Sequence, residues 1–243
     1  MLKTSLFLLV VFLSNIIQCV TGFAGTVLAM PVSIMLVGYE TAKPILNVLG
    51  IAASVGVVAL NYKSVNKKEF AKITAIMLLG IFADAFITAD FTRYENTLYL
   101  ILGLLVIVIA VANSIKFFSK KETKDAPEWL SLILLVLSGL VHGIFDCGGP
   151  LLVTYASAKL KDSDEFRSTL SAVWIVLNSV ILFSDVHAGY FVSQTLSLTF
   201  VSIAVLVFSL LVGHIISRKM SRNAFLILTY VLMIISGVSL ILK

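Results

Sequence analysis

Charged side chains are scarce in this chain. Asp, Glu, Lys and Arg make up 13% of its 243 residues, whereas hydrophobic residues make up 59%. Because a soluble globular domain averages about a quarter charged residues, so few charges cannot cover a water-exposed surface of this size. Apolar runs of roughly 20 residues recur along the chain, which predicts an all-α polytopic membrane protein.

Several common functional signals are also missing. Both cysteines, Cys19 and Cys147, lie in apolar stretches, so we expect no disulfide framework. The ATP-binding pattern G-x-x-x-x-G-K does not occur, so transport would draw on an ion gradient or on a partner ATPase subunit. The net charge of +5 comes with no nucleic-acid motif and is explained by loop charges that orient the chain in a membrane. We expect no cofactor, no metal and no nucleic-acid partner.

Two junctions between apolar segments contain glycine instead of charge. They are residues 21–26, "TGFAGT", and residues 146–150, "DCGGP". The longest polar linker, residues 118–128, lies near the middle of the chain. The order of segments before and after it predicts two repeats, residues 1–117 and 129–243. Each repeat would contain a Gly-broken helical hairpin followed by three transmembrane helices. The pairs at equivalent positions are Gly22 and Gly143, Lys43 and Arg167, and Asn47 and Ser171.

The distribution of Lys and Arg selects the topology. If each glycine-broken pair of segments starts and ends on one membrane side, four of the 18 basic residues lie on one side and 14 on the other. If each pair is one broken span, the division is ten against eight. The positive-inside rule favours the first arrangement. In this arrangement the two halves are inverted relative to each other, both termini lie outside the cell, and the linker lies in the cytoplasm. The arrangement is compatible both with re-entrant pairs and with pairs of fully spanning helices.

Inverted repeats with interrupted helices are typical of secondary transporters that bind substrate near the membrane midplane. Such a break is tolerated only where protein or a watery cavity surrounds it. The helix that starts at each break would direct free N–H groups, and about half a positive charge, toward an anion. For the glycines the alternative is close helix packing, as Gly139-x-x-x-Gly143 would allow. The residues that form the breaks are Gly22, Gly25, Gly148, Gly149 and Pro150.

Polar residues line single faces of the neighbouring helices. Amides and hydroxyls suit a small oxyanion, although for any one residue a hydrogen bond between helices is the alternative. Lys43 and Arg167 precede equivalent segments, where they either attract an anion or anchor the helix at the interface. The polar faces consist of Asn15, Gln18 and Gly22, of Asn47, Gly50 and Ser54, and of Ser171 and Asn178.

Acidic residues inside apolar segments are functional candidates because they are costly in a membrane. Asp146 either caps the helix after the second break or titrates and so couples proton movement to the substrate. Asp84 lies near a span end, where interfacial water is within reach, and His142 also suits a hydrogen-bonded core position. A membrane-embedded enzyme would use Asp84, His142, Asp146 or Cys147, but no nucleophile arrangement or metal-ligand spacing accompanies them.

Four stretches of the chain resemble one known family. They are "QCVTGFAGTVLAMPVSIML" at the first break, "SGLVHGIFDCGGPLLVTYA" at the second, "FRSTLS", and "SRKMSRNAFLILTYVLMIISGVSLIL" at the C-terminus. These stretches resemble the TauE/SafE membrane proteins, also described as sulfite exporters, and the resemblance covers essentially the full chain. It implies export of sulfite or of an organosulfonate such as sulfoacetate, with no cofactor.

The resemblance also maps an anion site onto both breaks, and it adds Phe23, Gly143 and Phe145 to the glycines and the proline. The chain departs from the family at Ala24, which replaces a glycine, and at Thr154, where a second proline is common. Asp146 stands where the family usually has glycine. A carboxylate there is compatible with proton-coupled anion transport or with an aminosulfonate substrate such as taurine.

We therefore expect a transporter that exports a small sulfur oxyanion, with a passive anion channel or a membrane-embedded enzyme as the alternatives. The expected partners are the anion, the lipid bilayer and protons, and a homodimer is one open oligomeric state. The candidate coupling residues are Asp146, Asp84 and His142. The candidate substrate-binding residues are Gln18, Gly22, Phe23, Gly25, Thr26, Asn47, Gly143, Phe145, Asp146, Cys147, Gly148, Gly149, Pro150, Ser171 and Asn178.

Overall fold

The chain is helical, and the predicted all-α class is confirmed. A computed structural model describes residues 2–87, 100, 103–104, 107–108, 110–112, 114–115, 118, 128–146 and 148–241, and this part of the chain contains no β-strand. The helices are α1 (Leu2–Thr21), α2 (Ala24–Val37), α3 (Tyr39–Asn61), α4 (Lys67–Ile87), α5 (Glu128–Phe145), α6 (Gly149–Lys159), α7 (Ser163–His187), α8 (Ser193–Lys219) and α9 (Arg222–Ile241). A short 3-10 helix, Tyr62–Ser64, follows α3.

Local sequence signals explain where several helices begin and end. The Asp162 carboxylate accepts hydrogen bonds from the backbone N–H groups of Asp164 and Glu165, both at 2.9 Å, and so caps α7. Gly38, with φ +83°, separates α2 from α3. Pro150 lies in the first turn of α6, where a missing N–H leaves no helical hydrogen bond unmade.

The chain divides into two compact units. The first is Met1–Thr74 with Asp162–Met220, and the second is Ala75–Lys161 with Ser221–Lys243. In the first unit, four helical stretches are long and apolar enough to cross a membrane: Leu2–Thr21, Tyr39–Ser64, Ser163–His187 and Ser193–Lys219. The inverted repeat and the membrane arrangement of the two breaks stay predictions.

Helices α3 and α7 of the first unit pack side by side and antiparallel. At one end the Lys43 ammonium lies 3.0 Å from the Asp185 carboxylate. At the other end Asn66, just beyond α3, donates from Nδ2 to Glu165 Oε1 at 2.8 Å and from its backbone N–H to Thr169 Oγ1 at 2.9 Å. The two helices therefore run in opposite directions and contact each other along most of their length.

Helix α8 buries its small and polar residues and exposes its large apolar ones, the reverse of a helix in a soluble protein. Its buried stripe repeats every three or four residues and is mostly small or hydroxylic, whereas large apolar side chains such as Phe200 and Phe208 are exposed. A Cβ built on Gly213 would lie 2.7 Å from Cys19 Cβ, so α1 and α8 approach closely there. Small residues between helices and large apolar residues outside are typical of membrane helix packing.

In the second unit, α4 and α5 approach each other through small residues. A Cβ built on Gly139 would lie 2.7 Å from Met77 Cα, and one built on Gly80 would lie 2.5 Å from the Leu140 backbone nitrogen. At Gly139 the structure therefore shows close helix packing, the alternative that the sequence had left open.

Candidate functional site

The first helix break belongs to the first unit. Helix α1 ends at Thr21 and α2 starts at Ala24. Between them Gly22 has φ +83°, and a Cβ built on it would lie 3.1 Å from Arg167 Cα on α7. Glycine is therefore required here both by the left-handed backbone and by the close approach of α7.

Side chains of α1 satisfy the first N–H groups of α2. The Gly25 N–H donates to Gln18 Oε1 at 2.9 Å, and the Ala24 N–H donates to Thr21 Oγ1 at 3.3 Å. The expectation of free N–H groups at this break was wrong for these two residues, because buried backbone donors rarely stay unpaired. Gln18, selected from the sequence as a substrate-binding residue, thus holds the start of α2.

One face of α7 meets the break. The Trp174 indole N–H donates to the Gly22 carbonyl oxygen at 2.8 Å, and both residues are buried. Arg167, Ser171, Trp174 and Asn178 follow one another at intervals of three or four residues and so share this face. Arg167 is buried and paired with Asp164, which lies one turn earlier on α7.

Helix α3 contributes the opposite wall. A Cβ built on Gly50 would lie 2.8 Å from Asn178 Nδ2 and 3.8 Å from Thr26 Oγ1. The structure therefore brings two of the predicted binding residues, Thr26 and Asn178, together around Gly50. Ser54 follows Gly50 by one turn on the same face, in the direction of Trp174 and Ser171, because α3 and α7 are antiparallel.

Three buried polar atoms in this region have no hydrogen-bond partner among the described residues. They are Asn47 Oδ1, Ser54 Oγ and Ser171 Oγ, each on a residue that is 1% exposed. Leaving a buried polar atom unpaired costs about 1–3 kcal/mol. These atoms lie on the facing sides of α3 and α7.

Asp185 is a buried acid that our reading of the sequence missed. It is 1% exposed, and it accepts from Asn47 Nδ2 at 3.3 Å as well as pairing with Lys43. Its position near the end of α7 resembles that of an interfacial residue. A signal was nevertheless present, since Ser171, Asn178 and Asp185 repeat every seven residues and continue one polar face.

The second break belongs to the other unit. Helix α5 ends at Phe145 and α6 starts at Gly149. Asp146 has φ 54°, and its backbone N–H donates to the His142 carbonyl oxygen at 2.9 Å. Asp and Asn are the residues other than glycine that adopt this left-handed conformation most readily. Aspartate is therefore compatible with the backbone conformation at this position.

Two buried side chains and one glycine pack tightly beside Asp146. His142 Nε2 lies 4.0 Å from Asp146 Oδ1, and the two residues are 4% and 3% exposed. Ser138 Oγ donates to the Gly148 carbonyl oxygen at 2.7 Å, and a Cβ built on Gly148 would lie 2.7 Å from His142 Cβ. Gly149 and Pro150 are buried in the first turn of α6, and Gly143 lies in the last turn of α5.

Three candidates fall partly or wholly outside the described residues. Cys147 is outside them, and so are the side chains of Phe145 and Asp84, whose backbones belong to α5 and α4. Phe23 is buried, and its N–H lies 3.4 Å from Thr21 Oγ1. The roles predicted for all four residues stay predictions.

Comparison with known proteins gives one result. The model of the TauE/SafE sulfite exporter family matches residues 7–240, which is almost the entire chain and includes both helix breaks. The chain matches no curated protein and no solved structure. The match over more than half the chain agrees with the resemblance seen at the two glycine junctions. The chain belongs to the TauE/SafE sulfite exporter family.

Proposed function

We propose that the chain is a secondary transporter that exports a small sulfur oxyanion, either sulfite or an organosulfonate such as sulfoacetate. The observation that carries this proposal is the family match across residues 7–240. The four long apolar helices of the first unit supply membrane spans. The distribution of basic residues supports a cell-membrane location with both termini outside and residues 118–128 in the cytoplasm.

The anion binds at the first break. Gln18 Oε1 accepts the Gly25 N–H at the start of α2, where a helix favours negative charge. A sulfur oxyanion that replaces this amide oxygen receives the same N–H. The Thr26 hydroxyl and the Asn178 amide, which meet at Gly50, supply two further donors. Neutral donors of this kind hold an anion without burying an unpaired cation, so the anion can also leave.

The buried hydroxyls of Ser54 and Ser171 extend the set of donors. Both lack a hydrogen-bond partner among the described residues. A sulfonate or sulfite group presents three oxygens, each of which accepts more than one hydrogen bond. A ligand of this shape would therefore remove the desolvation penalty that these two hydroxyls otherwise carry.

A proton gradient drives the transport, and the protons bind at the second break. The buried Asp146 carboxylate lies 4.0 Å from His142 Nε2, so a proton bound by the imidazole is stabilised by the carboxylate charge. A proton taken up here compensates the charge of the anion during a transport cycle. Gly143, Gly148, Gly149 and Pro150 shape this break around the pair.

Uptake into proteoliposomes tests the proposal. Sulfite, sulfoacetate and taurine are supplied separately, with and without an imposed pH gradient, to the native protein and to Asp146→Asn. We expect saturable sulfite or sulfoacetate uptake that the gradient accelerates in the native protein but not in the variant. Asp162→Asn is the matched control, because it removes an exposed carboxylate while asparagine keeps the cap of α7.

Three results would count against this account. Absence of flux for all three substrates would remove the proposed substrate class. Uptake of taurine alone would identify an aminosulfonate transporter instead. Equal acceleration by the gradient in native protein and Asp146→Asn would reject Asp146 as the proton-binding residue while leaving anion transport in place.

A further inference from the structure

The ion pair between Lys43 and Asp185 is a candidate for a role beyond structure. It joins α3 to α7 across 3.0 Å, with the Lys43 side chain 12% exposed and the Asp185 side chain 1% exposed. Asn47 Nδ2 donates to the other carboxylate oxygen of Asp185 at 3.3 Å. Burying such a pair costs desolvation that its attraction barely repays, so stability alone is a weak reason for its presence.

The two partners differ in what each would lose if the pair separated. Asp185 would keep the Asn47 amide as a donor. Lys43 would keep the Tyr39 ring, whose centroid lies 6.0 Å from its ammonium nitrogen. His187, the nearest other titratable group on α7, is exposed, and its Nδ1 lies 2.9 Å from the Phe183 carbonyl oxygen. Each charge therefore keeps one favourable contact if the ion pair separates.

An anion can reach this end of the first unit. A cavity of about 530 Å³ is lined by Lys3 on α1, by Gly38 and Thr41 at the start of α3, and by Gln194 on α8. Lys43 lies two residues beyond Thr41, on the other side of α3 and outside the cavity lining, and its side chain is 12% exposed. In the orientation predicted from the charge distribution, this end of the unit faces outward, which is the exit side for an exporter.

We propose that Lys43 and Asp185 form an anion-displaceable gate, in which a small oxyanion takes the Lys43 ammonium from Asp185 as it leaves the protein. Asp185 is then an internal competitor of the substrate, and Asn47 holds it in place while Lys43 binds the oxyanion. The inference rests on the proposed function, because it assumes that the chain moves oxyanions. It adds a second anion contact, separate from the donors at the first break.

If Asp185 competes with the substrate for Lys43, removing Asp185 and removing Lys43 should change KM in opposite directions. In sulfite exchange across proteoliposomes, Asp185→Asn removes the competitor and should lower KM by about fivefold or more. Lys43→Gln removes the anion contact and should raise KM by a similar factor or more, while Lys43→Arg should stay near the native value. Glu40→Gln, an exposed acid in the same turn of α3, is the matched control and should leave KM unchanged.

The results separate the two proposals. If native protein exchanges neither sulfite nor sulfoacetate, the proposed function fails. If native protein exchanges sulfite but Asp185→Asn and Lys43→Gln change KM in the same direction, or not at all, the pair is structural and the gate is rejected. Should Asp185→Asn fail to fold, the two Lys43 variants decide. A KM that is raised in Lys43→Gln but near the native value in Lys43→Arg supports the gate, and equal KM values in these two variants reject it.

Discussion

The Trp174 indole N–H donates to the carbonyl oxygen of Gly22 at 2.8 Å, across a separation of 152 residues in sequence. Gly22 is the central residue of the first helix break, and Trp174 lies in the middle of α7. This hydrogen bond therefore ties the break to the helix that carries Ser171 and Asn178. It also satisfies a buried carbonyl oxygen that the end of α1 leaves outside the helical hydrogen-bond pattern.

Replacing Trp174 should destabilise the protein. Trp174→Phe keeps an aromatic ring but leaves the Gly22 carbonyl oxygen without this donor, which should cost about 1–3 kcal/mol. The measurement is thermal unfolding of purified protein in detergent. Trp129→Phe is the matched control because Trp129 is 63% exposed. Equal melting temperatures for the two variants would show that this hydrogen bond does not hold the break.

Gly22 should tolerate substitution less well than another glycine with similar φ. Gly22 and Gly189 have φ +83° and +75°, but only the added Cβ at Gly22 meets neighbouring atoms, while none lies within 4 Å at Gly189. Both alanine variants should carry the left-handed strain of about 1–2 kcal/mol, and Gly22→Ala should carry the contact with Arg167 in addition. Unfolding temperatures and sulfite uptake of the two variants measure the difference. A Gly189→Ala variant as impaired as Gly22→Ala would contradict the close approach of α7.

The positions of both breaks could be predicted because glycine and proline act locally. Residues 21–26 contain the end of α1 and the start of α2, and residues 146–150 directly follow the end of α5 and contain the start of α6. The start of α4 was harder to predict. The apolar pattern begins near residue 73, whereas the helix begins at Lys67, because the polar residues in between are also good helix formers.

The site was less predictable than the fold. Helical spacing placed Asn47, Gly50 and Ser54 on one face and Ser171 with Asn178 on another, and the structure buries both faces. The spacing could not show that Asn178 packs on Gly50, or that Asp185 pairs with Lys43, because those contacts join residues more than a hundred positions apart. The role of Gln18 as a cap for α2 depends on how closely α1 and α2 approach, and the spacing of residues in the sequence carries no information on that distance.

Replacing Asp146 by glycine should preserve the stability of the protein, whereas replacing it by alanine should lower it. Its φ of 54° suits glycine, whereas alanine would pay about 1–2 kcal/mol in this conformation. We therefore expect Asp146→Gly to unfold at or above the native temperature and Asp146→Ala to unfold below it. Thermal unfolding in detergent measures both. If Asp146→Ala is as stable as Asp146→Gly, the left-handed conformation is not what selects the residue here.

Gln18 provides a test that separates binding from stability. Gln18→Glu keeps an oxygen acceptor for the Gly25 N–H, and the favourable interaction of a carboxylate with the start of α2 offsets part of the cost of burying its charge, so the variant should still fold. The same carboxylate repels an anionic substrate, and KM for sulfite should rise by about tenfold or more.

Gln18→Met is the companion variant, since it fills similar space without the acceptor. It should lower the unfolding temperature because the Gly25 N–H loses its partner. An unchanged KM in a well-folded Gln18→Glu variant would place the anion elsewhere.

The central claim is that this chain carries a sulfur oxyanion through a substrate site, and counterflow tests it most directly. Proteoliposomes are loaded with unlabelled sulfite and diluted into a trace of labelled sulfite at equal pH on both sides. A carrier predicts transient accumulation of label above its equilibrium level, saturation with external sulfite, and loss of the overshoot in Gly22→Ala but not in Gly189→Ala. Label that only equilibrates, at a rate proportional to concentration, would indicate a channel and contradict the account. No protein-dependent entry of label would contradict it as well.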